Sequence, residues 1–173
     1  MKISALEEYG LRCMVRLAKE GAGGSLSLSE IGEAEGLSFP YAAKLFGLLK
    51  SGGVVIAERG RNGGYSLSRP ASQIRLKEVF DALGEPLFGA NHCERFQSPG
   101  SENKECIHHD DCTVRDIWSS FGQMINGFLH EVTLENLVSR QSGKRSDLFE
   151  IAGIKMGFRG RDNRIEQTGS VQA

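Results

Sequence analysis

The sequence lacks the features that mark membrane-spanning, exported or nucleotide-cofactor proteins. No apolar run approaches the roughly 20 residues that cross a bilayer. Residues 1–8 become acidic at once and contain no apolar signal-peptide core. There is also no glycine-rich cofactor fingerprint. These absences predict a cytoplasmic protein without membrane association, and they leave an enzymatic function supported by little beyond one Cys/His-rich stretch.

Net charge is also nearly absent, at −1 over 173 residues, but its distribution is uneven. Residues 1–77 carry 11 Lys and Arg against 7 Asp and Glu, whereas residues 78–173 carry 10 against 15. A basic N-terminal part joined to an acidic remainder suits a nucleic-acid-binding module attached to a sensing or assembly module.

Cysteine is scarce, yet three of the four cysteines are clustered. Twelve residues separate Cys93 from Cys106, and five separate Cys106 from Cys112. The residues between them are polar and rich in turn formers, so the stretch is predicted to be a loop. Disulfides are uncommon in the cytosol, and clustered thiolates there favour a metal ion, an iron–sulfur cluster or a redox role. Cys13 stands apart and is predicted to be a small core or interface residue.

Two capping boxes predict the first two helices, because Ser4 is followed by Glu7 and Ser27 by Glu30, each three residues on. A third helix is predicted over residues 39–51, with Pro40 in its permitted first turn. The short link between the second and third helices is typical of a helix-turn-helix.

Residues 54–57 and 64–67 predict a β-hairpin, since an Asn-Gly turn signal lies between them. Helices followed by a hairpin are the order of a winged helix, in which the third helix enters the major groove of DNA. The wing arginines are positioned to reach phosphates or a narrow minor groove. The predicted DNA-binding residues are Ser38, Tyr41, Ala43, Lys44, Arg59 and Arg61.

The strongest helical period in the chain follows Cys112. Nine apolar residues from Val114 to Val132 recur at three-four spacing and predict a helix over residues 113–131. A stripe of nine apolar side chains is more than packing against a small winged-helix domain would require. It therefore predicts a partner helix, most simply in a symmetric homodimer that presents two recognition helices to a palindromic site.

The predicted fold is mostly α, with a small β-hairpin wing. A winged helix-turn-helix domain occupies residues 1–83 and ends in a short strand and helix between Ile74 and Leu83. The cysteine loop spans 84–112. A dimerisation helix and a short helix capped by Thr133 occupy 113–138, and a partly disordered tail occupies 139–173. A short docked segment is an alternative for part of that tail.

With these motifs in place, the sequence resembles the Rrf-two family of bacterial winged-helix transcription regulators. The resemblance covers residues 1 to about 140. It rests on the cysteine trio and on residues 11–17, 37–41, 44–46, 59–67 and 128–138. It implies a homodimeric regulator of double-stranded operator DNA that is not an enzyme. It also implies an iron–sulfur cluster, [2Fe–2S] or [4Fe–4S], on Cys93, Cys106 and Cys112, whose ligation changes the position of the DNA-binding heads.

The chain departs from the family pattern in two places. The spacing between Cys93 and Cys106 is longer than usual. Arg115 also occupies the position where one type of member has a ligating histidine, and a guanidinium cannot ligate iron. By resemblance to other members, Glu8 of the partner subunit is the expected fourth ligand, with His92, His108 and His109 as local competitors.

The predicted function is therefore transcription regulation, as a repressor that senses iron–sulfur status, nitric oxide or redox state. Two alternatives keep the same fold. Three thiolates and one histidine would satisfy zinc, and Cys93 paired with Cys106 or Cys112 would form a thiol switch. The remaining alternatives are a Cys/His metalloenzyme and a zinc-stabilised interaction module that does not bind DNA.

Overall fold

The computed structural model describes residues 3–58, 63–84, 112–141 and 148–153. These residues are mostly helical and carry one small antiparallel sheet. The elements in order are α1 (Ala5–Lys19), β1 (Ser25–Leu26), α2 (Leu28–Glu35), α3 (Phe39–Ser51), β2 (Val55–Ala57), β3 (Tyr65–Leu67), a 3-10 turn (Ala71–Gln73), α4 (Leu76–Leu83), α5 (Thr113–Glu131), α6 (Leu134–Gln141) and α7 (Leu148–Ile151).

Both predicted capping boxes are formed. The hydroxyl of Ser4 accepts from the backbone N–H of Glu7 at 3.2 Å, and the Ser4 N–H donates to the Glu7 carboxylate at 2.7 Å. The same exchange joins Ser27 and Glu30 at 3.2 and 2.8 Å. Helices α1 and α2 thus begin where their local sequence satisfies the first free backbone donors.

The predicted hairpin forms, but it is part of a three-stranded sheet in the order β1-β3-β2. Val55 pairs with Leu67 in the hairpin, and Leu26 of β1 pairs with Tyr65. Strand β1 was not predicted, because two residues are too few to show an alternating pattern. It ties the wing to the start of α2.

The core lies where α1, α3 and α4 meet the sheet. Its largest fully buried side chains are Phe46, Met14, Leu17, Ile31, Leu45, Leu49, Ile74 and Leu134. The ring of Phe46 contacts Tyr65 at a centroid distance of 4.8 Å, which joins α3 to β3.

The prediction of a strand near Ile74 is wrong, although the helix predicted after it is present as α4. A single antiparallel bridge joins Arg75 to Thr133. Beside it, the N–H of Leu76 donates to Val132 at 2.9 Å and the N–H of Leu134 donates to Ile74 at 3.0 Å. Residues 74–76 and 132–134, called here the junction, connect the winged-helix core to the end of α5.

Helix α5 divides its apolar stripe between two environments. Near its C-terminal end, Leu129 is buried in the core, with Ile125 and Phe128 packed against it. Five large apolar residues nearer the N-terminal end are exposed: Val114 by 58%, Ile117 by 52%, Trp118 by 38%, Phe121 by 43% and Met124 by 50%.

Helix α6 follows α5 directly, and its cap is the predicted one, since Thr133 accepts from the backbone N–H of Asn136 at 3.4 Å. Leu148 of α7, within the predicted tail, packs on the core. Within the described ranges, no helix has the length and apolar character needed to cross a membrane.

Candidate nucleic-acid interface and sensor site

Helices α2 and α3 form the predicted helix-turn-helix. Gly36 ends α2 in the left-handed conformation, with φ of 69°. Residues other than glycine rarely adopt this conformation. Ser38 then begins α3 as its N-cap, but its side chain makes no capping hydrogen bond. The exposed Ser38 hydroxyl is therefore not occupied by the helix it precedes.

Packing fixes the direction of α3 and decides which predicted residues face outward. Tyr41 lies edge-on against Tyr9 of α1, with ring centroids 6.0 Å apart and planes at 84°. Ala42 is fully buried beside it. Lys44 is exposed and Ala43 is half-buried. The structure thus places Ser38 and Lys44 on the accessible side of α3, whereas Tyr41 also holds the helix to α1.

The base of the wing is held by two contacts between its strands. The Ser66 hydroxyl donates to the Glu58 carboxylate at 2.9 Å, and the Glu58 N–H donates to Gly64 at 2.9 Å. The two predicted wing contacts, Arg59 and Arg61, lie outside the described residues.

One structural residue near the wing was missed by sequence analysis. Arg69 donates to the carbonyls of Gln73 at 3.2 Å and Gly53 at 3.3 Å, and it forms an ion pair with Glu78 of α4. Burial raises the pKa of Glu78, but the backbone N–H of Arg75 and the Arg69 guanidinium outweigh it and hold that pKa below its usual value. Nothing in the local sequence around Arg69 indicates these partners, because they converge only in the folded chain.

The structure describes one of the three clustered cysteines. Cys112 is the N-cap of α5, is half-buried and carries a free thiol. Cys93 and Cys106 lie outside the described residues, as do His92, His108 and His109. In the part of the chain that is described, no three His, Cys, Asp or Glu side chains are grouped closely enough to share a metal ion.

Cys13 belongs to the core, as predicted. It is fully buried in α1, and burial raises its pKa to about 12, with the nearby charge of Glu35 acting in the same direction. Because the thiolate is the reactive form of cysteine, this side chain is poorly suited to redox or metal chemistry.

Glu8 is exposed on α1 and lines a cavity of about 470 Å³. Three basic side chains of the same helix, Arg12, Arg16 and Lys19, share the wall of this cavity with Glu35 of α2 and Leu148 of α7. Arg12 is held in place by Glu35 at 3.0 Å and lies 5.5 Å from the centre of the Tyr9 ring. The wall therefore carries three basic side chains against the two carboxylates of Glu8 and Glu35, and this small positive balance favours an acidic segment as the neighbour of Glu8.

Comparison with known proteins shows the family. The model of the Rrf2 family, described as iron-dependent transcriptional regulators, matches residues 3–140. The chain belongs to the Rrf2 family. The IscR regulator of Serratia proteamaculans is 32% identical over 141 residues, covering 82% of this chain and 81% of its own. IscR of Photorhabdus laumondii is 31% identical over 173 residues, covering 99% of this chain and 98% of its own.

Solved structures of Rrf2 regulators share this fold. IscR of T. potens matches with a TM-score of 0.65 and 25% identity, over 84% of this chain and 93% of its own. CymR, the global cysteine regulator of B. subtilis, matches with a TM-score of 0.66 and 28% identity, over 81% and 98%. Membership of the Rrf2 family confirms a DNA-binding transcription regulator with a winged helix, and its relatives are regulators rather than enzymes.

Proposed function

We propose that this protein is a cytoplasmic, homodimeric repressor whose affinity for operator DNA is controlled by an iron–sulfur cluster on Cys93, Cys106 and Cys112. The observation that carries the proposal is the position of Cys112. Cys112 carries a free, half-buried thiol at the N-terminal end of α5. The C-terminal end of the same helix enters the junction with the DNA-binding core. A change in ligation at Cys112 would therefore act directly on that helix.

The side chains that are described suit such a cluster. A helix N-terminus favours negative charge, so the start of α5 suits a thiolate ligand. Arg115, one turn into the same helix, has no lone pair to offer iron. The fourth ligand must then come from elsewhere, and Glu8 of a second subunit is our candidate.

Charge complementarity supports Glu8 as that ligand. The cysteine loop, residues 84–112, carries six acidic residues against two basic ones, Arg95 and Lys104. The cavity wall beside Glu8 carries three basic residues of α1, of which Arg12 is paired with Glu35. An acidic loop from one subunit would be attracted to the basic face of α1 in the other, and this attraction would bring Glu8 towards the cysteines.

The exposed half of α5 supports the homodimer. Five large apolar side chains of this helix stay between 38% and 58% exposed in the part of the chain that the structure describes. Exposed apolar patches of this kind mark interaction sites, and pairing with the same surface of a second copy would bury both at once. In this proposal residues 1–83 are the DNA-binding domain, 84–112 the cluster loop and 113–138 the dimerisation segment.

We assign operator contacts to Ser38, Tyr41, Ala43 and Lys44 of the helix-turn-helix, together with Arg59 and Arg61 of the wing. The exposure of Ser38 and Lys44 supports this assignment. Lys44 would contact a phosphate or a guanine edge, and the two arginines would add affinity through the backbone or the minor groove.

The test is an absorption spectrum with iron, sulfide and zinc analysis on protein purified without oxygen. We expect a brown protein with iron and acid-labile sulfide. Cys106→Ala should lose the visible absorbance and the iron while the dimer still forms. Cys13→Ala is the matched control, because a buried cysteine of the core should leave the iron content unchanged.

Other metal contents would overturn the cluster proposal. A colourless protein with stoichiometric zinc would make the loop a structural site. A metal-free protein whose cysteines form disulfides under oxidant would indicate a thiol switch. A Cys106→Ala variant that keeps its full cluster would remove Cys106 from the ligand set.

A further inference from the structure

The first residue of the recognition helix is an exposed aromatic. Phe39 begins α3 and is 58% exposed, although its ring is large and wholly apolar. The next residue, Pro40, is exposed as well. An aromatic ring left in water at this position contributes little to the packing of the chain that carries it.

The fold does not need Phe39 to hold α3 in place. That task falls to Tyr41, which packs on Tyr9, and to the buried side chains of Ala42, Leu45 and Phe46. In a helix, side chains lean towards the N-terminus. A side chain at the first position therefore projects beyond the helix end, which is the part of a recognition helix that enters the major groove.

The start of α3 has few polar groups with which to read bases. Phe39, Pro40 and Ala43 have no hydrogen-bonding side chain, and Pro40 also lacks a backbone N–H. Polar readout by this helix therefore falls to Ser38, Lys44 and the hydroxyl of the half-buried Tyr41. The remaining feature that an apolar side chain distinguishes in the major groove is the C5 methyl group of thymine.

We propose that Phe39 is a specificity-determining residue that contacts the C5 methyl group of a thymine in each operator half-site. The proposal rests on the DNA binding of the Rrf2 family and not on the iron–sulfur cluster. Its test and the metal analysis above can therefore fail independently.

The test measures methyl recognition directly. Duplexes are first selected from a random-sequence library by the full-length wild-type protein. Each thymine of a selected site is then replaced by deoxyuridine, which pairs in the same way but lacks the methyl group. At one thymine of a half-site we expect the wild-type Kd to rise about fourfold, the ratio that corresponds to one buried methyl-sized group.

The same substitutions are then measured with variants. Phe39→Ala should bind the thymine and deoxyuridine duplexes equally, and Phe39→Leu should retain part of the difference. Lys44→Ala is the matched control. It should weaken binding to all duplexes, through a lost phosphate or guanine contact, and keep the methyl effect intact. Circular dichroism checks that each variant is folded.

Two results would overturn the proposal. In the first, wild-type protein binds its selected duplex tightly but is indifferent to deoxyuridine at every thymine. In the second, Phe39→Ala and Phe39→Leu show the same deoxyuridine penalties as wild type.

Discussion

Replacing Gly64 by alanine should destabilise the protein at the base of its wing. A Cβ atom at this position would lie 2.6 Å from the carbonyl oxygen of Leu26, 2.7 Å from its carbonyl carbon and 3.1 Å from the nitrogen of Ser27. All three atoms belong to the backbone of β1 or the start of α2, so no side-chain rotation relieves the overlap.

The magnitude follows from what must move. Relief requires β1 to shift from β3, where Leu26 pairs with Tyr65. Overpacking costs about 1–3 kcal/mol, and the net loss of a backbone hydrogen bond costs about 1 kcal/mol. We expect the free energy of unfolding to fall by about 2–4 kcal/mol, which for a chain of this size lowers Tm by about 4–16 °C.

The assay is thermal unfolding by circular dichroism at one fixed protein concentration, since self-association makes Tm depend on concentration. Gly47→Ala is the control, because Gly47 is an exposed residue within α3 and a Cβ there meets no atom within 4 Å outside its own helical backbone. It should gain about 0.5–1 kcal/mol. A Gly64→Ala variant as stable as wild type would refute the reasoning.

Three further predictions concern other parts of the molecule. Phe121→Arg should convert the proposed dimer to monomer in sedimentation velocity, whereas Gln123→Arg on the polar face of α5 should not. A dimer that survives Phe121→Arg would count against this interface. The pKa of Glu78 is held below 4.5, so its ionised form contributes stability above pH about 4.5 that is lost as pH falls through the folded pKa. Glu78→Gln should therefore show a shallower acid decline in stability than wild type, and identical slopes would contradict this. Finally, iodoacetamide at neutral pH should label Cys13 only after unfolding, and rapid labelling of native protein, read by peptide mass spectrometry, would show that the core is open.

The sequence predicts elements whose causes are local. The capping boxes at Ser4 and Ser27 depend on a partner three residues away, so the residue pattern alone is sufficient to predict both. The third helix and the hairpin are likewise marked by Pro40, glycines and an Asn-Gly turn. The long helix after Cys112 is predictable because its apolar period continues over several turns.

The features that were missed depend on distant partners. Strand β1 has two residues and exists because β3 passes beside it. The bridge between Arg75 and Thr133 joins positions far apart in sequence, so a single contact stands where a strand was predicted near Ile74. The candidate site was likewise only partly predictable from local sequence. Ser38 and Lys44 follow from the helix-turn-helix pattern, whereas Glu8 entered only through the family resemblance.

The junction at the end of α5 gives the helix the mechanics of a lever. Backbone hydrogen bonds hold it to residues 74–76 at one end, and Cys112 lies at the other, 19 helical residues away. At 1.5 Å per residue the arm is about 28 Å long. A tilt of about 5° at the junction thus corresponds to about 2.5 Å of travel at Cys112. In the proposed regulator, a displacement of Cys112 about as long as one coordination bond would therefore correspond to a rotation of only about 5° between α5 and the winged-helix domain.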